Sequence, residues 1–211
     1  MFTQKNIETV LKFSHTRPEN TARAYFDCEE ELTLLAAQYF MESGDKDIEE
    51  KDVKLLVGRL ISLYDTVNFG RKTEKEERAM KNLEAMAAGY TFVVDMVINN
   101  AKKYAQTAHI DDASPHAPNG FSMLQRLAQD PKVIIYLETV VRSDSGLPRW
   151  EAIEALAKIE TSYTEKILEG IIRGDYPSLY HPAIFDLNTI ARVRGQEYID
   201  KKKKELKHSA C

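Results

Sequence analysis

Two cysteines in 211 residues, Cys28 within a helical pattern and Cys211 at the last position, exclude a disulfide-built secreted scaffold and fit a reducing compartment. No export signal is expected either, because Lys5 and Glu8 interrupt the first ten residues where an unbroken apolar stretch is needed. Long hydrophobic runs are equally scarce. The most apolar segment, Tyr90 to Ile98, is cut by Asp95 and falls far short of the roughly 20 residues of a membrane span. With Cys211 at the last position instead of fourth from the end, no prenylation signal is expected. The chain therefore reads as a soluble, cytoplasmic protein.

Catalytic signatures are lacking too. There is no HExxH, CxxC pair, P-loop, GxSxG elbow or glycine-rich dinucleotide turn. A di-iron bundle needs Glu-x-x-His on two helices, and that spacing occurs at Glu205 and His208 alone, in a charged tail. No cofactor is expected. The 9 glycines and 7 prolines stand mostly between periodic segments, and no repeat of solenoid length recurs.

What is present is helical periodicity in an ordinary globular composition, 43% hydrophobic and 29% charged. The spacing predicts a short helix from Thr3 to Ser14, another over Thr21–Glu42 with Gly44 as its stop, and a third from Asp47 to Gly70. Thr73 and Glu76 have the spacing of a capping box, and the stripe from Met80 to Ala105 keeps helical period for about 30 residues, roughly 45 Å at 1.5 Å per residue. This spine from Thr73 to about Gln106 would organise the fold, with Gly89 as a point where it could kink. Two β-branched stretches, Thr91–Ile98 and Val133–Val141, are also compatible with strand and are read as helix.

Beyond a loop over His109–Gly120, helices are expected at Phe121–Gln129, at Lys132–Val141 behind the Asp130–Pro131 start, from Leu147 through Ile171 to Gly174, and from Ala183 to about Lys207. The resulting expectation is an all-α, single-domain bundle of seven to eight helices around a long central helix. Residues 1–200 form the domain and 201–211 a basic tail. Of 29 basic and 33 acidic residues, five lysines and Glu205 fall in that tail, leaving 24 basic against 32 acidic in the body. An acidic body repels phosphate backbones, so nucleic acid or another acidic surface could be met only through Lys201, Lys202, Lys203 and Lys204. Their simplest role is a solvated helix end.

Candidate sites are polar residues inside apolar stripes. Projection at 100° per residue places Glu29 among Tyr25, Leu32 and Ala36, Glu160 amid Ile153, Leu156, Tyr163 and Ile167, and Arg194 among Leu187, Ile190, Ala191 and Tyr198. A buried or half-buried ion pair tying the last helix to the second or seventh is the leading account, ahead of a partner-facing surface or an acid/base site. A second candidate, Arg173, Asp175, Tyr176, Tyr180, His181 and Phe185, is a loop of residue types enriched at interfaces, whose plainer role is packing onto the core. The loop His109, Asp111, Asp112 and His116 gathers metal-ligand types without preset geometry, and it is read as a linker, with no metal. By elimination, the expected function is that of a non-enzymatic interaction or adaptor protein, probing partner segments with helix grooves or faces. The alternative is a small enzyme using Glu29, Glu160 or His181 in a helical cavity.

Overall fold

The structure, a computed structural model, describes residues 23–43, 49–65, 73–107, 120–143, 146–178 and 182–209. Ten helices and no strands occur among them, so the all-α reading holds and both β-branched stretches are helical. The expected helix Thr3–Ser14, the stops at Gly44 and Gly70, and the loop carrying His109, Asp111, Asp112 and His116 lie outside the described residues, as do the side chains of Cys28 and Glu29.

The chain divides into two compact units, Met1–Val97 and Ile98–Cys211. The first contains α1 (Arg23–Ser43), α2 (Glu50–Asp65), α3 (Glu74–Gly89) and the opening turns of α4 (Thr91–Thr107). Its core interleaves Leu34 and Ala37 of α1, Val57, Leu60 and Tyr64 of α2, and Met80, Leu83 and Met86 of α3, all fully buried. At the rim, Lys75 and Arg78 of α3 reach Glu30 and Glu31 of α1, each at 2.9 Å. α3 starts with the predicted capping box, in which Thr73 accepts from the Glu76 amide while the Glu76 carboxylate accepts from the Thr73 amide.

The expected spine is broken. Tyr90 takes extended angles, φ −134° and ψ 105°, and separates α3 from α4. Gly89, a poor helix former, weakens the ladder just before the break, and the Tyr90 ring lodges beside Phe40 and Phe92 at 5.7 and 5.5 Å between centroids. Burial of an aromatic cluster outweighs the continuity of one turn.

The second unit holds the rest of α4 with α5 (Gly120–Arg126), α6 (Pro131–Ser143), α7 (Leu147–Lys158), α8 (Ser162–Arg173), α9 (Ala183–Arg194) and α10 (Gln196–Ser209). Here α7 is the centre, packed against α5, α6, α8 and α9. Its Ile153 and Leu156 are fully buried with Leu124, Leu137 and Leu168. Asp130 caps α6 as predicted, accepting from the Lys132 amide at 2.9 Å.

Two further long helices are divided, which raises the count above seven or eight. The segment from Leu147 to Ile171 breaks at Ile159–Thr161, where Thr161 forms a capping box with Thr164 that opens α8. The segment from Ala183 to Lys207 breaks at Gly195, whose φ of 85° and ψ of 154° belong to backbone space that side chains avoid. α10 then lies on α8: Tyr198 donates to Glu165 at 2.8 Å and Lys202 to Glu169 at 2.7 Å. Lys202 is thus held against the fold, whereas Lys201, Lys203 and Lys204 are not so buried. Among the described residues, no helix is long and apolar enough to cross a membrane.

Candidate functional site

α7 presents Arg149 in its first turn, one residue after Pro148. At helical spacing Arg149 shares a stripe with Ile153 and Leu156, so its side chain is directed inward. It is fully buried, and a buried guanidinium demands partners for its donors. It finds them on three elements: the Val141 carbonyl of α6, the Tyr176 carbonyl at 2.8 Å, and the Asp186 carboxylate of α9 at 2.6 Å. Arg149 therefore fixes the end of α6, the segment after α8 and the start of α9 to the central helix.

Two surfaces flank this hub. On one side, Glu138 of α6 accepts from Tyr163 of α8 at 2.6 Å, from Tyr176 at 2.8 Å and from Arg142 at 2.6 Å. The Arg142 guanidinium also lies 4.4 Å from the centre of the Tyr176 ring. Burial pushes the Glu138 carboxyl upward, but the hydrogen bonds from Tyr163, Tyr176 and Arg142 together hold it below the ordinary value. Burial, followed by the bond to Glu138, raises the Tyr176 phenol to about 12. Tyr176 packs over Gly170, and Arg173 pairs with Asp175 beside it.

On the other side, the start of α9 exposes Ile184 and Phe185, 55% and 46% accessible, with the Phe185 ring tilted against Trp150 at 5.8 Å between centroids. This exposed apolar surface lies across the hub from the cationic and aromatic one. Exposed apolar and aromatic side chains, arginine and tyrosine are residue types in which protein interfaces are enriched.

The residues marked from sequence are only partly brought together. Tyr176, Arg173 and Asp175 form one group and Phe185 lies across the hub from it, while Tyr180 and His181 are outside the described residues. Arg194 meets Glu160 at 3.6 Å and Glu165 at 3.3 Å, so the ion pair exists, with an added carboxylate. Glu160 is not at the centre of an apolar face, however. The break before α8 removes it from that face and leaves its side chain 83% exposed. The main contacts of Arg194 are the Ala157 and Ile159 carbonyls, left without helical donors where α7 ends.

Sequence reasoning overlooked Arg149, Asp186 and Glu138. Arg149 and Asp186 carried a readable signal, since each falls four residues before a core isoleucine, Ile153 and Ile190. It also overlooked Glu151. This α7 carboxyl accepts from Tyr104 of α4 at 3.2 Å, while its Oε2 is shut off from solvent with no hydrogen-bond partner among the described residues. No group of three or more metal-ligating side chains occurs among the described residues. No family model matches the chain, and no curated protein or solved structure is significantly similar to it.

Proposed function

We propose that this chain is a non-enzymatic interaction protein of the adaptor type, acting in the cytoplasm and engaging a partner segment through the surface around Arg149. The observation that supports it is the adjacency of Ile184 and Phe185, two large apolar side chains exposed in the first turn of α9. Phe185 rests on Trp150, so it loses little freedom when covered. The arginine and tyrosine group across the hub supplies directional contacts at the rim, where charge tunes specificity and association rate.

Affinity purification from cells tests this reading, comparing the natural chain with the double variant Ile184→Asp, Phe185→Asp. A partner lost only with the variant is then purified and titrated against both chains, with circular dichroism checking that the variant is folded. Weakening of at least tenfold, about 1.4 kcal/mol, is expected. Equal affinity for both chains overturns the assignment of the surface.

A further inference from the structure

The second turn of α7 holds an acid, Glu151, that the interaction surface does not use. Glu151 faces Tyr104 of α4, whose ring stands edge-on to Phe121 of α5 at 6.0 Å, so the carboxyl meets aromatic surface. Its Oε2 is closed off from solvent without a hydrogen-bond partner, and no basic group forms an ion pair with it among the described residues. The titratable groups around it offer no compensation. Tyr104 of α4 gives one hydrogen bond. On its own helix Glu154 adds a like charge, which is shared with Lys158 at 2.8 Å and with Arg192 of α9. On α6, Tyr136 has a buried hydroxyl without a hydrogen-bond partner among the described residues, and Glu138 and Arg142 are engaged with each other.

A carboxylate cannot be held there cheaply, because ionisation would place an unpaired charge in a poorly solvated site. A neutral acid can. We propose that Glu151 is a proton-operated latch: protonated, it lets residues 98–107 of α4 close on α7, and its ionisation releases them. Burial, the largest influence, lifts the carboxyl from 4.5 to about 7, against the opposing effect of the Tyr104 hydrogen bond. A group raised in the closed state favours closure fully below its open-state value. That advantage is lost as pH rises from about 4.5 to about 7, and little changes above.

Hydrogen exchange on the full chain, corrected for intrinsic rates, tests the latch. Between pH 5 and 8, protection of residues 98–107 should fall by roughly tenfold to a hundredfold, as linkage to such a shift requires. α2 should show no such fall. Glu151→Gln should abolish the pH dependence, and Tyr104→Phe, which removes a bond favouring the ionised form, should carry the transition to higher pH. A flat natural profile, or a Gln variant that follows the natural one, overturns the proposal. Should the Gln variant fail to fold, carbon NMR of the Glu151 carboxyl decides: a midpoint near 7 supports the latch, and one near 4.5 overturns it.

Discussion

Arg149 and Asp186 form an ion pair at 2.6 Å in which both side chains are hidden from solvent. Neither charge has water to fall back on, so removing one leaves the other uncompensated. Asp186→Ala should therefore destabilise the protein by about 3 to 5 kcal/mol, seen as a lower denaturant midpoint. Replacing both together, as Arg149→Met with Asp186→Leu, should cost much less than the sum of the single changes. A double variant no better than Asp186→Ala would show that the carbonyls of Val141 and Tyr176 matter more than the pair.

Arg194 acts mainly through the carbonyls at the end of α7, and its ion pair with Glu160 is solvent-exposed. Glu160→Ala should consequently change stability by no more than about 0.5 kcal/mol. Arg194→Ala should cost about 1 to 2 kcal/mol, and lysine should restore the loss only in part, because Arg194 reaches the two carbonyls from separate nitrogens, Nε and Nη2, of a rigid planar group that a single ammonium does not reproduce. Chemical denaturation of the three variants checks the order.

Gly170 leaves room for the Tyr176 ring: a methyl group there would sit 2.6 Å from its Cε2. The ring is held by Glu138 and Arg142 and cannot yield freely. Gly170→Ala should destabilise by about 1 to 3 kcal/mol. In a Tyr176→Ala background the same change should be neutral or stabilising, since alanine is the better helix former. Thermal unfolding of the four chains in that cycle measures the coupling.

The Glu138 carboxyl, held below its ordinary value, contributes stability that is present above 4.5 and is lost as pH falls through its lowered value. Acid should free Tyr176 from α6 in that window, visible as a change in its aromatic NMR signals. Glu138→Gln should remove this acid transition. An unchanged transition in the variant would assign it to other carboxyls.

Local rules account for the parts of the fold that could be read in advance. The Thr73–Glu76 capping box, the Asp130 cap and the left-handed Gly174 all act within one turn of chain, and all appear. Apolar periodicity continues through the breaks at Tyr90 and Ile159–Thr161, so Gly89 marked a possible kink at the first without fixing a break, and the stripe gave no sign of the second. A stripe fixes which residues face inward without requiring that they belong to one helix. Thr161–Thr164 was a signal in a less familiar form, a capping box with threonine where glutamate or glutamine is usual. For the candidate site, the Arg173–Phe185 segment was marked by composition, whereas its anchor, Arg149, is far away in sequence. Only three-dimensional packing brings it to the carbonyl of Tyr176.

Four consecutive lysines would look alike to an acylating reagent if the chain were unfolded. Folding makes them unequal, for Lys202 is 18% exposed where Lys201 is 75% exposed. The hydrogen bond to Glu169, with support from Glu165, raises the Lys202 ammonium above its ordinary value, so less of it is in the nucleophilic amine form at any pH. Chemical or enzymatic acylation should mark its neighbours first, and the rare modification of Lys202 itself should loosen α10 from α8.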